Sequence, residues 1–279
     1  MHHMKKSGIK KAGAVYTVLI FIVLYLPILI MVLYSFTAGS STATFSADYA
    51  GKNPFGYWYQ EMFRNEKAMS ALTHSLTLAV LSSLCATVIG TAAAIGLRRI
   101  SRKWVRNTIN TVTNIPMMNP DIVTGLSMML LFAGVFAIIG SGSSGFVTIL
   151  IAHITFNLPY VILSVTPKLR QMDKNLPEAA LDLGCTPVQS FFKVELPYIF
   201  PAVLSGAITA FTLSLDDYVI SLFTAGTYET LPVFIYSLAK KGVKPSIYAL
   251  STFMLVCVLL LLVLSNVMQA RAEKRQNAH

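Results

Sequence analysis

The chain has 279 residues, of which 54% are hydrophobic and 12% charged, and a formal net charge of +10; a soluble domain carries roughly 25% charged residues. So much apolar surface requires lipid, which excludes an ordinary soluble domain. The basic excess lies beside apolar runs, so it points to a membrane surface and not to nucleic acid.

Six apolar runs follow one another near residues 14–36, 75–97, 108–139, 145–166, 198–225 and 246–268. Each reaches the ~20 residues that cross ~30 Å of hydrocarbon as a helix. The ~10-residue alternation of a membrane β-barrel is absent from the sequence. The expected fold class is therefore an all-α integral membrane protein with six transmembrane helices. Residues 1–13 form an N-terminal tail, 14–268 the six-helix membrane domain and 269–279 a C-terminal tail. Of the 22 Lys and Arg, sixteen fall in segments that are cytoplasmic if the N-terminus is inside, and six fall in the other loops. Both termini are therefore expected in the cytoplasm.

The first run follows a basic start, but it extends over about 23 residues and lacks a small-residue cleavage site before Tyr34 and Phe36, so it reads as a retained anchor. Met4, followed by Lys5 and Lys6, is as good a start as Met1. In the third run Pro116 and Pro120 interrupt 32 residues that would otherwise make a helix about 48 Å long. A break there would set Asp121 near the middle of the membrane, where broken helices open backbone to a cavity. The helix start after Pro120 also favours an acidic side chain through its dipole.

The fourth run carries a polar row with helical spacing: His153, Asn157, Tyr160 and Ser164. His153 taken alone reads as a satisfied interhelical histidine; within the row it becomes a pathway candidate. Residues 167–197 then form a long polar segment with its own helix signals. Asn175 with Glu178 suits an N-cap and capping box, and Gly184 ends that helix. Thr186, Pro187 and Gln189 start another, expected to run to about Glu195, where Pro197 stops it.

The fifth run carries two rows, one of Ser205, Thr209, Thr212 and Asp216 and one of Ser214, Asp217, Ser221 and Thr224. One suits a pathway and the other helix packing, and spacing alone does not assign them. Asp121, Asp216 and Asp217 are the acidic residues at hydrocarbon depth, and no Lys or Arg accompanies them. Such residues are costly in lipid and must face water, a partner or a substrate. A negative interior is complemented by a cation, and Tyr160 and Tyr218 could offer ring faces to an ammonium group. Protonation, or an Arg of a partner chain, would serve as well. Cys85, Cys185 and Cys257 have no metal-ligand spacing and read as small apolar fillers, so no metal is expected.

Glu178-Ala179-Ala180, then Gly184, then Val194, Glu195, Leu196 and Pro197 resemble the E-A-A loop of ABC importer permeases, with Val194 in place of the usual Ile. Asn119 to Val123, His153 to Phe156, Ser214 to Val219 and Leu231 to Ser237 are similar to the second permease subunit of spermidine/putrescine importers, over roughly residues 10–272. The resemblance implies a type I importer permease fold in a bacterial cytoplasmic membrane. It implies that residues 167–197 couple to a cytoplasmic ATPase through Glu178, Ala179, Ala180, Gly184, Val194, Leu196 and Pro197. It also implies as partners a second permease, two ATP-binding subunits and an extracytoplasmic substrate-binding protein. The candidate pathway residues are Asp121, His153, Asn157, Tyr160, Asp216, Asp217 and Tyr218. The sequence has no Ser/His/Asp set in motif context and no Gly-x-x-x-x-Gly-Lys loop. No enzymatic activity and no cofactor are expected of this chain, with ATP bound by partner subunits. The alternatives are a permease for another small solute, such as iron, thiamine, an aminophosphonate or an amino acid, and a secondary transporter.

Overall fold

The computed structural model describes residues 2–37, 57–140, 142, 144–173, 175–241 and 245–276. Among these every regular element is helical: α1 His2–Tyr34, α2 Tyr57–Arg64, α3 Glu66–Arg99, α4 Lys103–Met118, α5 Asp121–Ile139, α6 Phe146–Gln171, α7 Asn175–Asp182, α8 Pro187–Ser190, α9 Leu196–Asp216, α10 Val219–Thr224, α11 Leu231–Lys240 and α12 Pro245–Gln276. Among the described residues six helical stretches are long and apolar enough to span a membrane: Val15–Tyr34, Glu66–Arg99, Asp121–Ile139, Phe146–Gln171, Pro187–Asp216 and Ser246–Leu264.

The expected tail at 1–13 is helical from His2 and continuous with the first span. The third run divides beside Pro120, where a break was expected. Its first part belongs to the separate helix α4, and α5 alone, 19 residues or about 28 Å, suffices to cross. Asp121 is the first residue of α5. Pro120, extended at φ −57° and ψ 136°, separates the two helices. The fifth run also divides, because Asp217 is extended (φ −67°, ψ 122°) between α9 and α10.

The chain forms two compact units. One comprises residues 1–69 and 235–257. Here α1 is exposed around its whole circumference from Val15 to Ile30, as expected of an apolar helix that faces lipid or another subunit. Its end is tied down: Ser35 Oγ lies 3.0 Å from the Tyr59 hydroxyl, and the Trp58 indole N–H donates to the Thr37 carbonyl at 2.7 Å. Tyr34 packs on Tyr248, and Phe63 meets Phe253 edge-on.

The other unit comprises residues 70–234 and 258–279, with α6 at its centre. Val161, Ile162, Val165 and Leu169 of α6 pack with Ala86, Ala94 and Leu97 of α3 and Ile199 and Ala210 of α9. The helices approach closely because small residues face Val161. A Cβ on Gly90 would lie 2.8 Å from the Val161 side chain, and one on Gly206 would lie 3.3 Å from its Cα. Close backbone approach replaces the hydrophobic effect as the source of packing energy in lipid. On the other side of α6, Ala152 and Phe156 join Phe132 of α5 and Ile220 of α10. At the Ser70 end of this unit the loop after α10 is clamped to α3. His74 stacks on Tyr228 with centroids 3.9 Å apart, and the Leu231 N–H donates to Ser75 Oγ at 2.7 Å.

Candidate functional site

Two interruptions of the spanning helices hold the candidate residues. The first is the polar segment between α6 and α9. The Asn175 N–H donates to Asp173 Oδ1 at 3.0 Å, so Asp173 supplies the side-chain acceptor expected of Asn175. Helix α7 ends where Gly184 adopts φ 87°. The Cys185 N–H bonds the Ala180 carbonyl and the Gly184 N–H that of Leu181, the paired bonds of a Schellman motif. No atom lies within 4 Å of a Cβ built on Gly184. The glycine is needed there for its left-handed backbone and not for close approach.

Thr186 and Gln189 form the expected capping box at the start of α8, with bonds of 3.0 and 3.3 Å. The expected stop at Pro197 is absent. Phe191–Glu195 form a π-helical turn that leads directly into α9, with Pro197 in the first turn of that helix. The Pro197 nitrogen has no hydrogen to donate, and the wider turn accommodates the gap in the ladder. Ser190 Oγ donates to the Pro177 carbonyl at 3.3 Å, joining α8 to α7.

Ala180 is buried beneath the segment, whereas Glu178, Ala179, Gly184 and Pro197 are exposed and Val194 and Leu196 half-buried. Leu181, Leu183, Val188 and Phe192 are also exposed, an apolar surface on an otherwise polar segment. Beneath it Glu195, 8% exposed, lies 4.0 Å from Arg98 and 3.9 Å from Arg99 at the end of α3. Glu195 was missed from sequence because it occupies the variable position before Leu196 and its partners lie nearly a hundred residues away.

The second interruption is at Asp217. Its carboxylate accepts the Ile220 N–H at 3.3 Å and the Ser221 N–H at 2.7 Å, satisfying the otherwise unpaired donors at the start of α10. Asp217 Oδ2 also lies 3.4 Å from His153 Nε2. The His153 ring is fully buried, with Nδ1 2.7 Å from Ser214 Oγ and Nε2 3.1 Å from Ser221 Oγ. Ser214 Oγ continues to Ser82 Oγ of α3 at 2.9 Å. A carboxylate can only accept, so the contact with Asp217 calls for a proton on Nε2.

The row Ser214, Asp217, Ser221 and Thr224 thus faces the packed interior. No Lys or Arg pairs with Asp217, and the group beside its carboxylate is the ring of His153. Asp216, the next residue back, is exposed at the end of the half-buried row Ser205, Thr209 and Thr212. Thr209 and Thr212 donate to carbonyls of their own helix. Asp121 is exposed and Tyr160 half-buried, and Tyr218 forms the start of α10. Asn157 is fully buried, and neither Oδ1 nor Nδ2 has a hydrogen-bond partner among the described residues. The structure therefore joins His153 to Asp217 and leaves Asp216 outward. No group of three or more His, Cys, Asp or Glu among the described residues could hold a metal.

The crystal structure of a bacterial ABC transporter involved in the import of the acidic polysaccharide alginate superimposes with a TM-score of 0.76 at 17% identity, covering 96% of both chains. The fold is that of an ABC importer permease. Residues 86–278 match the family described as "Binding-protein-dependent transport system inner membrane component", and the chain belongs to that family as a multi-pass protein of the cytoplasmic membrane. It is 40% identical over 92% of its length to the putrescine transport system permease protein PotI of Escherichia coli (strain K12), covering 90% of that protein. It is 39% identical over 92% of its length to the spermidine/putrescine transport system permease protein PotC of Haemophilus influenzae, covering 93% of that protein.

Proposed function

We propose that the chain forms half of the transmembrane pathway of an ATP-driven polyamine importer. The observation that carries this reading is Asp216, an exposed carboxylate at a break in a spanning helix, in a chain about 40% identical to permeases named for putrescine and spermidine. An intramembrane carboxylate open to a pathway complements an ammonium group. Asp121 and Tyr160 add a second negative and aromatic position, and Tyr218 stands at the same break as Asp216.

In this reading the other half of the pathway comes from a second permease, ATP is bound by two partner subunits, and an extracytoplasmic binding protein delivers the cargo. The exposed face of α7 and α8, with Glu178, Ala179 and the apolar Leu181, Val188 and Phe192, docks in a groove of the ATPase. Both termini and the segment 167–197 then lie in the cytoplasm, and a cysteine placed at Lys241 should react with impermeant reagents from outside. The function is tested by reconstituting the chain with its neighbouring-gene permease, ATPase and binding protein in proteoliposomes. ATP-dependent uptake of putrescine or spermidine is expected. Uptake by the chain alone, without ATPase, would sink the importer reading in favour of a secondary transporter.

A further inference from the structure

A cavity of about 510 Å³ opens where the end of α3, the first half of α4 and the end of α6 meet, just before the segment that carries α7 and α8. Its polar lining is Arg98 from α3, Arg106, Asn107 and Asn110 from α4, and Thr166 and Arg170 from α6. No acidic residue lines it. Arg98 leans towards Glu195 at 4.0 Å, whereas Arg106 and Arg170 have no carboxylate within ion-pair distance among the described residues.

Helix α4 explains the depth of this cavity. Arg106, Asn107 and Asn110 line it, while Trp104, Ile109, Val112 and Ile115 are exposed on the helix surface. A helix with basic and amide groups on one face and an indole with branched aliphatics on the other lies in the boundary layer of a membrane. The guanidinium groups are thereby held at the level of lipid head groups. The forks of Arg106 and Arg170, matched by the amides of Asn107 and Asn110 and unopposed by carboxylates, form a donor set for phosphate oxygens. Basic pockets between spanning helices suit anionic head groups.

We propose that this cavity binds a phosphate group carried by an anionic phospholipid, independently of the solute the protein transports. The full-length chain in a non-ionic detergent at low ionic strength would be titrated with phosphatidylglycerol, phosphatidylcholine and inorganic phosphate, and bound ligand counted by native mass spectrometry. Phosphatidylglycerol should bind in preference to phosphatidylcholine. Arg106→Gln with Arg170→Gln should weaken it by about tenfold or more. Arg102→Gln with Lys103→Gln, which removes the same charge from exposed residues outside the cavity, should have a much smaller effect. Equal losses in the two double variants would overturn the proposal in favour of general surface attraction. Inorganic phosphate that competes with phosphatidylglycerol at similar concentration would make this a soluble-anion site and overturn the lipid assignment. Because Arg170 is exposed, Arg170→Gln alone retains the fold and should weaken binding measurably; unchanged binding in that variant also overturns the proposal.

Discussion

The segment from Asn175 to Glu195 and the break at Asp217 both interrupt the run of spanning helices, yet they satisfy their polar groups in opposite ways. In the first, most partners are close in sequence: Thr186 with Gln189, Gly184 with Leu181, and Cys185 with Ala180. The face proposed to dock on the ATPase, Glu178 and Ala179 with Leu181, Val188 and Phe192, is left exposed. In the second, the partners come from distant helices, His153 and Ser82 meeting Ser214, Asp217 and Ser221. A local frame can change its outer face while keeping its shape. An interhelical network cannot lose a member without exposing the others to a medium that offers no replacement.

The largest expected effect sharpens the first half of that contrast. Gly184→Trp forces a bulky residue into φ 87°, and Glu178→Lys reverses the charge of the exposed face. Each should leave the membrane helices inserted but reduce ATP-driven uptake by about tenfold or more, since disrupting an interface anchor costs ~2 kcal/mol. Uptake by the assembled transporter at matched protein levels checks this. Normal uptake with Glu178→Lys would show that this face is not where the ATPase is engaged.

Next in size is the network. Asp217→Ala removes the cap of α10 and the acceptor of a buried histidine, at a cost of about 2 kcal/mol. Asp217→Asn keeps an acceptor for both and should recover most of that loss. Thermal unfolding in detergent distinguishes the two variants. Equal destabilisation by Ala and Asn would mean that charge, and not capping, holds the break together.

The same contrast explains what could be read from sequence. Gly184, the Thr186 and Gln189 box and the six spans were legible because each depends on neighbours within a few residues or on simple apolar length. Pro197 misled because its missing N–H was read as a helix stop, whereas a π-helical turn absorbs it. The capping role of Asp217 was missed because it needs the chain to break after Asp216, and its pairing needs α6 to lie alongside. The signal was present: an Asp just before Val219, Ile220 and Leu222 is a common N-cap arrangement. Glu195 and the His74–Tyr228 stack gave no local signal.

Asp216 should behave unlike its neighbour. It is exposed and makes no capping bond, so Asp216→Asn should unfold at the same temperature as the parent chain. Its effect should fall on transport. Two unit charges 4 Å apart attract by ~4 kcal/mol at an effective dielectric of 20, and solvent and desolvation reduce this to about 1 kcal/mol, a several-fold loss of putrescine or spermidine uptake. If Asp217→Asn lowers uptake and Asp216→Asn does not, the exposed and buried carboxylates have exchanged the roles assigned to them here.

The smallest effect, and the one of opposite sign, concerns Asn157. It lies one turn after His153 on α6 and is equally buried, but His153 meets hydroxyl and carboxylate partners while both polar atoms of Asn157 have none among the described residues. An unsatisfied buried amide costs about 1 to 3 kcal/mol, and replacing it with an apolar group of similar shape relieves that cost. Asn157→Leu keeps the heavy-atom count of Asn and its branching at Cγ, at a larger volume. It should therefore raise the unfolding temperature slightly, by the equivalent of about 1 kcal/mol once imperfect packing is subtracted. If Asn157 instead turns towards the pathway during transport, Asn157→Leu will combine this gain in stability with a loss of uptake. A variant that is less stable than the parent would place a hydrogen-bond partner, water or protein, beside Asn157 and bring it into the His153 network.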